Sequence, residues 1–140
     1  MTQISKFSAH DRCFVCGGLN TDGLGLIFEK ADGKIVCRTN LDSRFQSYVG
    51  IVHGGILASI ADATMVNFVH QEFGGRPLTC SLEMRYRAPV HVGDEIAAEA
   101  VLRRMKHPIV WASCRITVRN RLCAEATAAF KIDHETLSDD

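Results

Sequence analysis

Apolar and polar residues alternate along residues 24–30 and again along 34–40, with Ala31-Asp32-Gly33 between the two runs. Alternation with a period of two marks a half-buried strand, and Asp-Gly tolerates the positive φ of a tight hairpin turn. Residues 1–23, ahead of this pair, are polar and rich in glycine and predict an irregular arm. Residues 41–50 are polar with aromatic punctuation and predict a loop. The pattern then changes. Residues 56–71 contain neither Gly nor Pro, and Ile56, Leu57, Ile60, Thr64, Val66, Phe68 and Val69 cover most of the helical circumference. A helix that is apolar nearly all round is a buried one. Counted from Gly54 it spans about 27 Å, enough to cross a small domain. Gly74-Gly75-Arg76-Pro77 ends it.

The remainder reads as strands. Along residues 79–87, Cys80, Leu82, Met84 and Tyr86 occupy one face and Ser81, Glu83, Arg85 and Arg87 the other, and Pro89 stops the run. Residues 95–104, 109–119 and 122–132 follow, joined by His107-Pro108 and Asn120-Arg121. Residues 134–140 are polar and acidic and are expected to fray. Short connections force antiparallel neighbours. The predicted class is therefore α+β: one domain over residues 1–140, a curved antiparallel sheet of five or six strands around one long helix. A single such sheet leaves part of the helix and one edge uncovered, which predicts a dimer.

Composition narrows the function. A length of 140 residues fits one domain, and 46% hydrophobic with 23% charged residues supports a packed core. Sixteen Lys and Arg balance sixteen Asp and Glu, which argues against a nucleic-acid binder held by backbone electrostatics. A local basic patch for a small phosphorylated ligand stays open. No apolar run approaches the roughly 20 residues of a membrane span, and residues 1–6 lack the marks of a signal peptide. The expectation is a cytoplasmic protein without a membrane partner, its six cysteines reduced. Cys37, Cys80, Cys114 and Cys123 lie in apolar runs and read as small core residues.

Between Gly54 and Val69 the only ionisable side chain is Asp62, flanked by Ile60, Ala61, Ala63 and Met65. A carboxylate in such surroundings costs several kcal/mol unless it is paired or hydrogen-bonded. Levels of design tend to conflict at functional sites, and perturbed carboxylates cluster there. The alternative is an Asp62 that faces solvent or a subunit contact. His53-Gly54-Gly55 stands at the start of the same helix. Glycines allow close approach to the backbone, and the first N–H groups of a helix lack internal acceptors and carry the positive end of its dipole. Such donors can hold an oxyanion. Asp62 lies just over two turns from Gly54, too far to act on the same carbonyl within one chain. Two copies packed antiparallel would bring one Gly54 near the other Asp62.

The run Gly50-Ile51-Val52-His53-Gly54-Gly55-Ile56-Leu57-Ala58-Ser59-Ile60-Ala61-Asp62-Ala63-Thr64 resembles the signature of hotdog-fold acyl-CoA thioesterases, in the subgroup of the phenylacetate-pathway and mammalian thioesterase-superfamily proteins. Arg85-Tyr86-Arg87-Ala88-Pro89 and Val92-Gly93-Asp94 are similar to the strand and turn that follow in that family. The likeness extends over residues 23–132. It implies a curved sheet wrapping one helix, a dimer with a continuous sheet that often pairs into a tetramer, and hydrolysis of an acyl-CoA thioester without a cofactor beyond the substrate's own coenzyme A. It implies that Asp62 is general base or nucleophile, that the Gly54 N–H polarises the thioester carbonyl beside Gly55, that Thr79 helps place the water, and that His53 supports the loop. Related enzymes carry Asn or Gln six or seven residues before the motif histidine. Here Ser47 and Gln46 stand there, with Gln46 the better candidate to hold water or the thioester oxygen.

Two further groups carry chemistry. Cys13 and Cys16, with His10 nearby, form half of a zinc site; a structural zinc needs four ligands and no second pair appears, so no metal is expected. Arg103, Arg104, Lys106, Arg119 and Arg121 cluster at predicted turns, with Arg85 and Arg87 a second set. They could bind the coenzyme A phosphates, since Arg pairs phosphate oxygens bidentately, or could simply protect a sheet edge. Two other functions stay open: a non-catalytic acyl-CoA binding module, and a thioester dehydratase or hydratase, whose sites pair a histidine with a carboxylate.

Overall fold

The computed structural model describes residues 3–5 and 7–134. The expected fraying of 134–140 falls, His134 apart, outside the described residues. The elements in chain order are β1 (Gln3–Ser5), a 3-10 turn (Ser8–His10), β2 (Phe28–Ala31), β3 (Lys34–Thr39), a second 3-10 turn (Ser43–Phe45), α1 (Gly54–Phe73), β4 (Arg76–Tyr86), β5 (Ile96–Lys106), β6 (Ile109–Val118) and β7 (Arg121–Asp133). All the strands join one antiparallel sheet in the order β1-β2-β3-β5-β6-β7-β4. This is the hotdog arrangement that the resemblance implied.

The sheet curls around α1, which packs against β3, β4, β5, β6 and β7. The alternation of β5, β6 and β7 explains the wrap. Ile96, Ala98 and Ala100, then Val110, Ala112, Cys114 and Ile116, then Ala124, Ala126, Ala128 and Phe130 all turn to the helix and are buried. Their alternation partners, Glu99, Arg115, Glu125 and Lys131 among them, face outward. The many alanines let the backbone of α1 approach the sheet closely, while Ile60, Met65, Phe68 and Val69 fill the space between.

Three expectations need correction. The arm is not wholly irregular, because Gln3–Ser5 pairs with Phe28–Lys30 and adds a seventh strand among the described residues. Residues 24–27 do not belong to the first hairpin. Leu24 and Leu26 donate their N–H groups back to Phe14 O and Val15 O, so the arm takes the bonds a strand would have used. Arg76 and Pro77 are not a loop but open β4, paired with Asp133 and Ile132. Proline is tolerated there because β4 is an edge strand. Gly74, at φ 70°, closes α1 with its N–H on His70 O at 2.8 Å.

The edge strand β4 holds the feature that positions the site. Its pairing with β7 shifts between Thr79 and Ser81. Directly paired residues share a face of the sheet. Thr79 pairs with Phe130, Leu82 with Ala128, Met84 with Ala126 and Tyr86 with Ala124, so all four look toward α1. Carrying the alternation of residues 80–87 back by one would set Thr79 with Ser81 on the outer face; the bulge turns it inward, to the side of Asp62 where the resemblance implied a role. Cys80, the extra residue of the bulge, is exposed rather than a core cysteine.

Candidate active site

Asp62 sits in the middle of α1, half-buried between fully buried Ala61 and Ala63. The Thr79 hydroxyl donates to its Oδ1 at 2.8 Å. Burial pushes the Asp62 carboxyl above the ordinary range; the Thr79 hydrogen bond and the nearby His10 pull the other way without cancelling it. Toward its start, α1 is open: Gly55 is exposed, and Ala58, Ser59 and Asp62 are partly so, one turn apart along a single stripe. Beside this stripe β4 shows Leu82 and Tyr86, which keep 37% and 52% of their surface exposed although they point to the helix side. Asp62 therefore stands on a partly exposed stripe of α1, beside the exposed Leu82 and Tyr86 of β4.

The start of α1 is built by its neighbours. His53 is the N-cap, and its Nδ1 accepts from the Gly55 N–H at 2.8 Å. A ring nitrogen that accepts is unprotonated, so the imidazole hydrogen lies on Nε2. The His53 N–H in turn donates to Phe45 O at 2.8 Å. A Cβ at Gly55 would stand 3.0 Å from that same Nδ1, so any side chain there presses on the cap. Gly54 is the first residue of the helix, and its N–H has no acceptor within it. Its carbonyl accepts from the Tyr86 hydroxyl at 2.6 Å, with the Tyr86 ring 3.3 Å from where a Cβ would stand. Tyr86 was not anticipated as part of the site. The alternation of β4, which set Tyr86 on the face of Leu82, held that signal.

Gln46 and Ser47 are occupied in shaping the loop before the helix. Gln46 Oε1 accepts from the Gly50 N–H at 3.0 Å, and the Ser47 N–H donates to Ile51 O. Neither side chain is joined to Asp62. Tyr48 and Val49, at the tip of this loop, are 83% and 93% exposed.

The basic residues do not form one cluster. The β5–β6 and β6–β7 turns lie at opposite ends of the ten-residue β6, about 33 Å apart at the rise of a strand. Arg103, Arg104 and Lys106 are thus separated from Arg119 and Arg121. Arg104 stacks its guanidinium 4.6 Å from the Trp111 ring. Arg85 and Arg87 are paired with Glu83 and Glu125 on the face of the sheet away from Asp62. A shallow cavity of about 300 Å³ on that face includes Arg85, Arg103 and Arg115. A larger hollow of about 720 Å³ lies at the other end, between Arg38, Asp94 and Arg119. Among the described residues neither hollow contains Asp62.

The arm, finally, comes within electrostatic range of Asp62. His10 lies close enough to Asp62 for each charge to act on the other. Its ring is stacked on Phe7, which stacks in turn on His70 of α1, with centroids 4.2 and 3.7 Å apart.

Known proteins agree with this architecture. The family model of the thioesterase superfamily matches residues 49–125. The acyl-coenzyme A thioesterase THEM4 of Rattus norvegicus is 30% identical over 119 residues, 80% of this chain and 51% of the rat protein. The chain spans about half the length of the curated relatives it matches. Two solved structures share the fold: zebrafish thioesterase superfamily member 2, with TM-score 0.76, 18% identity and coverage of 89% of this chain and 94% of that one, and a phenylacetic acid degradation-related protein of Ralstonia eutropha, with TM-score 0.71, 24% identity and coverage of 78% and 86%. The matched stretch holds the capped helix start, Asp62, Thr79 and strands β4, β5 and β6, and the chain belongs to the thioesterase superfamily.

Proposed function

We propose that the chain hydrolyses an acyl-CoA thioester to the free acid and coenzyme A, with Asp62 as general base. The observation that carries this reading is the Thr79–Asp62 hydrogen bond on a partly exposed stripe of α1 beside Leu82 and Tyr86. Thr79 occupies Oδ1 and leaves Oδ2 to a water. The water attacks the thioester carbonyl as its proton passes to Asp62. The oxyanion rests on the Gly54 N–H, and collapse expels the thiolate, which takes up the proton. A thiolate leaves readily, so one carboxylate and one oxyanion donor suffice, and water is the only co-reactant. Direct attack by Asp62 is the other route the same geometry allows; trapping of an acylated Asp62 by mass spectrometry after a rapid quench distinguishes it.

The Gly54 N–H and Asp62 of one chain are about 12 Å apart along α1. The working site is therefore a two-chain one, with the donor from a second copy packed antiparallel. The free edge of β4 and the exposed Leu82 and Tyr86 support this self-association. A further pairing of dimers into a tetramer uses the outer sheet face or the exposed 48–49 loop. The names of the relatives support acyl-CoA as the substrate class. The dehydratase alternative is less well supported, because the His53 Nδ1 is already engaged by Gly55.

Release of free thiol from a panel of acyl-CoA esters, aliphatic and aromatic, tests the proposal. Turnover that falls steeply in Asp62→Asn is expected. Tight binding without thiol release would instead make the chain a binding module, and reversible hydration of an enoyl ester would make it a hydratase. Sedimentation at falling concentration should show activity disappearing with the dimer.

A further inference from the structure

From residue 7 to residue 27 the chain has no strand and only one 3-10 turn, Ser8–His10. A loop of that length in a small domain is uncommon unless it is functional or clamped. This one is wound closely on itself. The Cys13 N–H donates to His10 O at 2.9 Å, Gly17 to Cys13 O at 2.9 Å and Leu19 to Asp11 O at 2.9 Å. The Val15 N–H points at the Cys13 sulfur, 3.3 Å away. Gly17 closes the turn where no other residue could, since a Cβ there would lie 2.3 Å from the Cys13 nitrogen. The result is a knuckle: two sulfurs of a Cys-x-x-Cys-Gly run gathered on one side, with an amide directed at one of them.

A third donor completes the cluster. His10 Nδ1 stands 3.4 Å from the Cys16 sulfur, and His10, Cys13 and Cys16 each offer a ligand atom within 4.8 Å of the others. A tetrahedral zinc, with bonds of about 2.3 Å to sulfur and about 2.0 Å to nitrogen, spaces its ligands by roughly 3.5–4 Å. The His10 ring plane is held by Phe7, which also ties the arm to His70 of α1. In the sequence His10 lies near the two cysteines; the fold brings its Nδ1 to 3.4 Å from the Cys16 sulfur. Cys37 of β3 acts on Cys16 electrostatically but lies outside the three-atom group.

We propose that His10, Cys13 and Cys16 bind one zinc ion through Nδ1 and the two sulfurs, with the fourth position open to solvent, and that the ion fixes the knuckle of the arm, which the Phe7 stack joins to His70 of α1. Two thiolates and an imidazole select a borderline-soft metal over magnesium or calcium. Binding releases the Cys13 and Cys16 thiol protons to solvent. All three ligands lie within residues 10–16, so the ion closes a short loop and limits the freedom of the knuckle itself.

Titration of the reduced, metal-free full chain with Co²⁺ tests this with a signal independent of thioester turnover. A thiolate-to-cobalt charge-transfer band saturating at one equivalent, and displaced by zinc, is expected. The band should vanish in Cys13→Ser and Cys16→Ser, weaken in His10→Ala and persist in Cys80→Ser, which removes only the exposed bulge thiol. No band in the wild-type chain overturns the proposal, whether or not the serine variants fold. A band that survives both serine substitutions, or that is lost with Cys80, overturns it as well.

Discussion

The Thr79 hydroxyl reaches Asp62 because β4 carries a bulge between Thr79 and Ser81. One extra residue inverts the alternation of the strand, so the residue that simple period-two reading sends outward is turned to the helix. The same bulge exposes Cys80 and leaves Leu82, Met84 and Tyr86 on the helix side of the strand. An edge strand can accept this device because only one of its sides is committed to a ladder.

Removing the Thr79 hydroxyl should leave Asp62 more basic. That hydrogen bond holds the carboxyl down against burial, so Thr79→Val raises its pKa further. The acid limb of the kcat/KM profile, already displaced above the ordinary carboxylate range of about 3.9, moves to higher pH. A loss of about tenfold in kcat at the optimum is expected from the misplaced water. An unshifted acid limb would separate Thr79 from the titration of Asp62.

Asp62→Asn should reduce turnover by about 10²–10⁴-fold, the usual worth of a general base, without lowering the melting temperature at neutral pH. The sign follows from the raised pKa. The folded state favours the protonated form, so the stability Asp62 contributes is fully present below the unfolded-state value and is lost as pH rises through the folded one. The amide escapes that loss and can still accept from Thr79. Relative to the wild type, the variant therefore gains stability with rising pH across that interval and levels off above it. Thermal unfolding at a series of pH values measures it.

His53→Ala removes the N-cap of α1 and should cost about 1 kcal/mol of stability. Gly55→Ala should cost a similar amount by a different route, because its Cβ meets the His53 ring at 3.0 Å. The two losses are expected to be less than additive, since each breaks the same Gly55 N–H to Nδ1 bond. Chemical denaturation of the single and double variants gives the coupling; full additivity would deny it.

Reversing Arg103 and Arg104 to Glu should raise KM for CoA esters but not for pantetheine esters that lack the nucleotide. These residues lie level with the site along the strands, on the outer face of the sheet: Arg104 pairs with Trp111, Trp111 with Ala129 and Ala129 with Ser81. The same reversal at Arg119 and Arg121, at the far end of β6, should leave both KM values unchanged. Equal effects on the two ester types would reject a nucleotide contact for either pair.

Much of this molecule is written locally. The all-round apolar run from Ile56 to Val69 dictates a buried helix, the lone acid within it marks the site, and His53-Gly54-Gly55 marks the helix start, because helix period, capping and burial depend on neighbours within a few residues. The strands from 96 onward follow from alternation and short turns for the same reason. The bulge that turns Thr79 inward, the Tyr86 hydroxyl on Gly54, the separation of the two arginine pairs and the approach of His10 toward Asp62 were not legible. Each depends on which residue faces which across a ladder or a long loop. A one-residue bulge or the fold of a twenty-residue arm changes that without altering the hydrophobic pattern, so only the tertiary structure could decide it.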